Sequence, residues 1–384
     1  DTLFDNTAGN LSLLSPILPV MAKTKHELVL RTGHKKSYYY SLPENVDLKI
    51  AGEYRGQYKV NLHPHISAWI DTTELLITNQ CIAPKAVIRN IRIEENDDHW
   101  IIKVYTHCRV PYKVEQKTDP QSLELLFFYS TADTDWIRSM IKQPNSIRVQ
   151  WHQKEDDLYT LNISIDVNQQ WGYNSFYDDN DNFTLLIKKP PKIYGWPFSP
   201  LKNLHILLDP GHWPDQGAIG PSRITEKEVN LRLALELKQM LNSRGAHVSL
   251  THSGEPGISL HDRIQLSKQL NPDILLSLHH NGLPTGVNPF NNHGSSTYYY
   301  HSQSYALAHE IQEHLLDEFN LPNYGLFWDN LAMCRIPNTL SVLIEPAFLI
   351  HPGEEQLILS RSYYSNCAKA IIQSLTNFLK SAKE

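Results

Sequence analysis

The sequence predicts a multidomain protein with an all-β N-terminal half and a C-terminal α/β domain that has a mainly parallel sheet. Short apolar runs with period-2 alternation fill residues 26–189, which is typical of all-β domains. Prolines interrupt this pattern in residues 190–201, and apolar strands then alternate with helical patterns through residues 202–384. Such alternation predicts parallel strands that are covered by helices.

The composition excludes several classes of protein. The chain of 384 residues is 41% hydrophobic and 20% charged, which predicts globular domains and excludes a disordered or fibrous chain. A formal net charge of −6 argues against a nucleic-acid partner, because nucleic-acid-binding proteins usually carry a basic surface. Since no apolar stretch reaches the roughly 18 residues of a transmembrane helix, we expect no membrane span, and no signal-peptide pattern stands in this chain.

Histidine and cysteine bear on metal chemistry. The 19 histidines outnumber the 17 glycines, which modestly favours metal or proton chemistry. The four cysteines form no Cys-x-x-Cys pair, which argues against a structural zinc site and leaves their disulfide status open. They are Cys81, Cys108, Cys334 and Cys367.

The N-terminal half divides into an arm and two β-rich regions. Residues 1–25 are polar and interrupted by prolines, which predicts a terminal arm. Residues 26–80 contain short alternating runs between glycines and predict a small all-β module. Residues 84–189 contain further short runs at regular spacing, which is typical of a β-sandwich. The proline-rich residues 190–201 predict a linker.

Capping signals mark the helices of the C-terminal domain, residues 202–384. Thr225 and Glu228 form a capping box that begins one helix, and Ser259 with Asp262 begins the next. Apolar residues at helical spacing predict two later helices. These helices lie near residues 307–315 and 367–379, and the predicted strands are LHILLDP, AHVSLT, DILLSLHH and LSVLIEP.

Three of these strands end in reactive side chains. His212 follows the first strand, His279 ends the third, and Glu345 ends the last. Ligands of open α/β sheets bind at the carboxyl ends of the strands, so these side chains are expected at one edge. Glu226 begins the helix after His212, and because Glu228 already has the capping role, Glu226 is free to face that edge.

Two imidazoles and a carboxylate with an open fourth position are the ligands of a catalytic zinc site. His212, Glu226 and His279 supply such a set, but they lie far apart in the sequence and form no local motif such as His-Glu-x-x-His. Their convergence therefore depends on the fold.

The runs DPGH, EKEVNL, SLHHN and IEPAFL, in this order, resemble the zinc-dependent N-acetylmuramoyl-L-alanine amidases of the amidase-3 type. The resemblance covers about residues 204–380. It implies that His212, Glu226 and His279 bind Zn²⁺ and that Glu345 is the catalytic glutamate. It also implies a peptidoglycan hydrolase that cleaves the amide between the lactyl group of N-acetylmuramic acid and L-alanine of the stem peptide.

Several positions depart from the family pattern or flank the predicted site. Trp213 replaces a glycine and places a bulky ring at the mouth of the predicted cleft, and His280 replaces a small residue beside His279. Adjacent strand residues face opposite ways, so His279 and His280 are not both expected to bind the metal. The candidates for supporting or substrate-binding roles are Asp209, Asn281, His280 and Arg335, the last with a plain surface role as its alternative.

The N-terminal half carries weaker resemblances. GEYRGQYKVNLHPHISAWI, in residues 26–80, looks like a bacterial SH3-like repeat. RVPYKVEQ and LELLFFYS, in residues 84–189, are similar to AMIN-type β-sandwich targeting domains, and an unspecific β spacer is the alternative. These resemblances imply wall targeting. The peptidoglycan substrate implies a periplasmic or extracellular location, and the sequence identifies no activator.

Two other functions remain open from the sequence. A zinc peptidase or carboxypeptidase that acts on the stem peptide would use the same ligands. A non-catalytic wall-binding or activator protein would lack a ligand or the base, whereas all four positions are filled here. The connections 213–225 and 282–295 are short, which predicts a cleft that is open or is regulated by the N-terminal half.

Overall fold

The computed structural model describes residues 20–78, 82–284 and 286–383, and the chain divides into two compact units. Unit 1 comprises Asp1–Asp166 and Ser175–Leu186, and unit 2 comprises Val167–Asn174 and Ile187–Glu384. Two predictions lie outside the described residues: the terminal arm up to residue 19, and the environment of Cys81. The other three cysteines form no disulfide.

The first sheet of unit 1 has seven strands in the order β3-β2-β6-β5-β4-β1-β7. Its first strand corrects the predicted arm, because residues from Val20 onward pair antiparallel with β4 and β7 and fully bury Met21 and Ala22. The strand was not predicted because residues 1–25 are mostly polar and interrupted by prolines. The strands are β1 (Val20–Thr24), β2 (Leu28–Arg31), β3 (Tyr38–Leu42), β4 (Asp47–Tyr54), β5 (Gln57–His63), β6 (Ile66–Asp71) and β7 (Leu75–Thr78).

Nine further strands between Ala86 and Lys188 form a four-stranded sheet, β10-β11-β14-β13, and a five-stranded sheet, β12-β8-β9-β16-β15. Phe127 of the four-stranded sheet and Phe183 of the five-stranded sheet are in edge-to-face contact, with ring centroids 4.8 Å apart. These two sheets therefore pack together. The strand-rich N-terminal half is thus confirmed. The strands are β8 (Ala86–Glu95), β9 (His99–Val104), β10 (Tyr112–Thr118), β11 (Gln121–Phe128), β12 (Ser130–Ser139), β13 (Ile147–Glu155), β14 (Leu158–Ile165), β15 (Tyr173–Tyr177) and β16 (Phe183–Lys188).

Unit 2 contains the predicted α/β domain, and its sheet has the order β18-β17-β19-β22-β20-β21. Every neighbouring pair is parallel except β20 with β22, which confirms the mainly parallel sheet. The strands are β17 (His205–Pro210), β18 (His247–Leu250), β19 (Ile274–Leu278), β20 (Ser295–Tyr299), β21 (Asn323–Trp328) and β22 (Leu340–Glu345).

The helices of unit 2 cover both faces of this sheet. Leu208 and Leu276 face a core that is shared with α1, α3 and α5, whereas Leu207 and Leu275 face α2, as the alternation of a strand requires. The predicted capping box begins α1, and Ser259 caps α2. The described helices are α1 (Glu226–Asn242), α2 (Leu260–Leu270), α3 (Tyr305–Phe319), α4 (Pro352–Ile358) and α5 (Tyr363–Lys383).

The boundary between the units differs from the predicted linker at residues 190–201. These residues form neither helix nor strand, yet they belong to unit 2, where Leu201 is fully buried in the core. Trp171, which was expected in the β-sandwich, is buried in the same core. Its ring centroid lies 6.0 Å from that of Phe378. Proline content predicted the irregular backbone, but only packing shows which core the segment joins.

Unit 2 holds the longest helix, α5, which has 21 residues and an apolar face in the core. Within the described part of the chain, no helix is long and apolar enough to cross a membrane.

Candidate active site at the strand ends

The carboxyl ends of β17 and β19 and the start of α1 bring three of the predicted site residues together. The potential ligand atoms of His212, Glu226 and His279 all lie within 4.8 Å of one another. Glu226 Oε2 lies 2.9 Å from His212 Nε2, and Glu226 Oε1 lies 2.9 Å from His279 Nδ1. The fold therefore supplies the convergence that the sequence spacing left open.

The carboxylate of Glu226 is the fixed centre of this group. Its oxygens also accept the backbone N–H of Ala218 at 2.9 Å and that of His280 at 3.2 Å. The Glu226 side chain is 6% exposed, whereas those of His212 and His279 are 25% and 20% exposed. The group is therefore anchored from the protein side and remains accessible from the solvent side.

The environment keeps Glu226 ionised. Burial raises the pKa of its carboxyl, but the hydrogen bonds from His212 and His279 outweigh burial and hold the pKa far below the usual range. For His212, burial lowers the pKa, but the contacts with Glu226 and Asp215 raise it overall. Asp215 Oδ1 accepts from His212 Nδ1 at 2.6 Å, which orients the ring so that Nε2 faces the group.

Two glycines allow these side chains to approach the backbone. A Cβ atom at Gly211 would overlap the His279 ring. At Gly217, which has a φ of +63°, a Cβ atom would lie 2.6 Å from Glu226 Oε2. A side chain at either position would therefore displace part of the group.

Arg263 on α2 holds the loop that carries His212. Its guanidinium donates to the carbonyl oxygens of Pro210, at 3.0 Å, of His212, and of Trp213, at 2.7 Å. His212 and Trp213 have positive φ angles of 71° and 65°, which are uncommon for such bulky residues. We infer that the buried guanidinium stabilises this unusual loop conformation.

Asp209, predicted to support the ligands, contacts this arginine. Its fully buried carboxylate accepts from the hydroxyls of Thr251 and Ser277, both at 2.7 Å, and lies 3.4 Å from Arg263 Nη1. Sequence reasoning did not find Arg263. A carboxylate inside a buried strand requires a hydrogen-bonding or charged partner. Asp209 therefore offered a sign in the sequence that a residue such as Arg263 lies beside it.

The Trp213 side chain packs against the protein rather than projecting into solvent. Its indole N–H donates to the carbonyl of Lys227 at 3.2 Å, and Lys227 Nζ lies 4.2 Å from the centre of the ring. The ring therefore packs on the first turn of α1, where it supports the helix that carries Glu226.

His280 faces away from the three-residue group, as strand alternation predicted. The buried ring donates from Nδ1 to Asn230 Oδ1 and accepts at Nε2 from the Tyr363 hydroxyl, both at 2.8 Å. Burial lowers the pKa of His280 to about 3, so the ring stays neutral. The amide of Asn230 in turn lies 3.3 Å from Glu226 Oε1. His280 thus orients a neighbour of Glu226, a link that the sequence did not predict.

Glu345 ends β22 in a different environment. Ser296 Oγ donates to its Oε2 at 3.3 Å, and burial raises the pKa of the carboxyl to about 7. The amide of Asn281 lies 3.4 Å from the hydroxyl groups of Ser296 and Tyr298. Asn281 therefore belongs to the surroundings of Glu345 more than to those of the histidines.

Arg335 is not brought to this edge. It precedes β22, whereas Glu345 ends that strand, so the two residues lie at opposite ends of β22. Its Nη1 donates to the side-chain oxygen of Asn330 at 2.6 Å, and its carbonyl accepts from His301 at 2.9 Å. The expected position for gripping a substrate carboxylate is therefore corrected: Arg335 holds a loop at the opposite edge.

The donor set of the three-residue group fits a divalent transition metal. Imidazole nitrogen and carboxylate oxygen are common zinc ligands, and three protein ligands leave a fourth position for water or substrate. The contacts from Asp215, Ala218 and His280 around these ligands are of the kind that orient metal ligands in proteins.

The C-terminal region is similar to known cell-wall enzymes. Residues 206–377 match the family Amidase_3, described as N-acetylmuramoyl-L-alanine amidase. The probable cell wall amidase LytH of Staphylococcus epidermidis is 31% identical over 186 residues, which cover 48% of this chain and 61% of that protein. LytH of Staphylococcus aureus is 29% identical over 180 residues, which cover 46% of this chain and 59% of that protein.

The chain thus spans about three fifths of the length of these curated relatives. Among solved structures, an N-acetylmuramoyl-L-alanine amidase from Clostridium difficile 630 is 28% identical, with a TM-score of 0.44. That match covers 47% of this chain and 98% of the other.

Proposed function

We propose, from the premise that residues 206–377 form an amidase-3-type domain, that this chain is a zinc-dependent peptidoglycan amidase. It hydrolyses the amide between the lactyl group of N-acetylmuramic acid and L-alanine of the stem peptide. The observation that carries this proposal is the grouping of His212, Glu226 and His279 at the sheet edge where β22 ends in Glu345.

His212, Glu226 and His279 would hold Zn²⁺. When bound, the ion supplies a water of lowered pKa and polarises the substrate carbonyl. The residues around the site keep the three ligands ready for this role: Asp215 orients His212, and backbone N–H groups hold both oxygens of Glu226. The histidines are partly exposed, which leaves room for an extended substrate.

Glu345 would be the catalytic base and acid. Its carboxylate accepts a proton from the attacking water and then donates that proton to the leaving nitrogen of L-alanine. Burial raises the pKa of this carboxyl towards neutrality, which suits a group that both accepts and donates a proton. The hydroxyl groups of Ser296 and Tyr298 donate to this carboxylate and orient it.

The neighbouring residues would have supporting roles. Asp209 fixes Arg263 and, through it, the loop of His212. His280 fixes Asn230 beside Glu226. Asn281 links the surroundings of Glu345 to β19, because its backbone pairs with Ala347 and Leu349.

The N-terminal half would direct the enzyme to its substrate. We assign the seven-stranded sheet that begins at Val20 to an SH3-like module and the two packed sheets that begin at Ala86 to an AMIN-like β-sandwich. Their strand content supports this assignment. A peptidoglycan substrate places the protein outside the cytoplasm, in the periplasm or beyond. An activator partner remains part of the hypothesis.

The test is product analysis on purified peptidoglycan sacculi with the full chain. We expect intact stem peptides with a free L-alanine amine, together with glycan strands that carry free lactyl carboxylates. A chelator should abolish release, and added Zn²⁺ should restore it. His212→Ala should abolish release as well, whereas the exposed His309→Ala should not.

Two outcomes would overturn the proposal. Shortened peptides that remain attached to glycan would indicate a peptidase. Binding to sacculi without release of any product would indicate a non-catalytic wall-binding protein.

A further inference from the structure

A second group of side chains of the types that bind metal ions lies in unit 2, apart from the residues of the proposed active site. The potential ligand atoms of His293, His351 and Glu354 lie within 4.8 Å of one another. His293 stands in the connection before β20, His351 is the N-cap of α4, and Glu354 lies in the first turn of that helix. The group therefore joins two segments that are distant in sequence.

Glu354 anchors this group. The residue is 2% exposed, and its Oε2 accepts the backbone N–H of Phe348 at 2.6 Å. Its Oε1 lies 2.5 Å from His293 Nδ1. One oxygen is thus held by the backbone, and the other is aimed at an imidazole, as in a carboxylate that is oriented for a metal ion.

The two imidazoles of the group contact each other. Their rings are stacked, with centroids 4.3 Å apart and planes 8° from parallel. His351 Nδ1 accepts the backbone N–H of Glu354 at 3.2 Å, so this nitrogen carries a lone pair and no proton. A metal ligand requires such a lone pair. His293 is 24% exposed, which gives an ion a route from solvent.

We propose that His293, His351 and Glu354 form a second zinc site in this chain. The donors are Nδ1 of each histidine and Oε1 of Glu354, the same two-imidazole, one-carboxylate set that suits zinc. On binding, the ion replaces the hydrogen bond between His293 and Glu354, and the Nδ1 proton of His293 is released. His351 rotates out of the ring stack, because lone pairs that lie in two parallel ring planes do not meet at one ion. Its Nδ1 lone pair then leaves the helix N–H for the ion.

The position of this site gives it a structural role. His293 ends the connection that follows β19, and His351 lies in the segment that follows β22. Those two strands carry His279 and Glu345 at their ends. A zinc ion here would tie the two segments together and stabilise the edge of the sheet that carries the proposed active site.

The test is the zinc stoichiometry of the full chain after chelator treatment and equilibrium dialysis against micromolar Zn²⁺, measured by elemental analysis. We expect two ions per chain in the wild type, one in His293→Ala, one in His212→Ala, and none in the double variant. The exposed control His309→Ala should keep two. One ion in the wild type, with no change in His293→Ala, would overturn the proposal.

A second measurement isolates this site from the first. In the His212→Ala background, Zn²⁺ should still raise the melting temperature, because an ion that binds only the folded chain stabilises it by mass action. Adding His293→Ala should remove that rise. A rise that persists in the double variant would overturn the proposal, whatever the outcome for the amidase activity.

Discussion

Glu226 and Glu345 lie at the same edge of one sheet, yet their surroundings give them opposite properties. Glu226 accepts from two imidazoles and two backbone N–H groups, which hold the pKa of its carboxyl far below the usual range. Glu345 accepts from the hydroxyl groups of Ser296 and Tyr298, but burial outweighs these contacts and raises its pKa to about 7. These surroundings suit the roles proposed for the two residues, a ligand that stays charged and a group that exchanges a proton.

The largest loss of activity is expected from a substitution of Glu226, because this carboxylate is proposed to bind the metal ion. Glu226→Gln replaces the carboxylate, whose two oxygens each contact one histidine, by a neutral amide. The chain should therefore lose zinc from the first site and lose hydrolysis to the level of chelator-treated protein. Elemental analysis and product release would be measured on the same sample. Full hydrolysis by this variant would show that the two carboxylates do not differ as described.

Glu345→Gln should separate catalysis from metal binding. Loss of a general base and acid typically costs about 10²–10⁴-fold in rate. The zinc content should stay at the wild-type level, because Glu345 is not a ligand. Glu313→Gln, an exposed change on α3, is the matched control and should have wild-type activity. Zinc loss in Glu345→Gln would place this residue among the ligands instead.

The pH dependence tests the raised pKa directly. In the metal-free chain, Glu345 should titrate near pH 7, as measured by NMR. Because the folded chain holds this proton more tightly than the unfolded chain does, Glu345 lowers stability as pH rises from about 4.5 to about 7. Denaturant unfolding of the wild type against Glu345→Gln should show this difference, and parallel curves would contradict it.

A bound metal ion would lower the pKa of Glu345 through its positive charge. The acid limb of hydrolysis should therefore fall between pH 4.5 and about 7, with activity lost as pH decreases. Glu226 does not contribute to this limb, because it stays ionised throughout that range.

The smallest expected effect is a loss of zinc affinity when the loop that carries His212 is loosened. Arg263→Lys removes the donors to the carbonyls of Pro210, His212 and Trp213, so zinc affinity should fall by about 10–100-fold, as for other residues that orient ligands. A competing chelator would measure this affinity. At saturating zinc, the acid limb of hydrolysis should be unchanged. Arg361→Lys, which is exposed, is the control.

Local signals predicted the elements of unit 2 well. The capping box at Thr225 and the cap at Ser259 both begin helices, because their hydrogen bonds involve only neighbouring residues. The strand at Val20 and the burial of Trp171 escaped prediction. Both depend on partners that are distant in sequence, which periodicity within a short window does not report.

In the candidate site, too, local signals in the sequence were informative and contacts between distant residues were not predicted. Strand ends predicted that His212, His279 and Glu345 lie at one edge, since parallel strands expose their carboxyl ends together. Arg263 and Asn230 were not found, because each acts by contacting atoms that come near only in the fold. Arg335 was a candidate for substrate binding, with a plain surface role as its alternative, and it lies before β22, at the other end of the strand from Glu345.

By itself, the sequence determined which chemical groups stand at the ends of the strands and which elements carry them. Only the tertiary structure decided how those groups behave. The pKa of Glu226 and that of Glu345 move in opposite directions because desolvation and hydrogen bonding are set by neighbours in space. Glutamate is the same residue at both positions, and the packing around it decides whether it stays ionised or exchanges a proton at neutral pH.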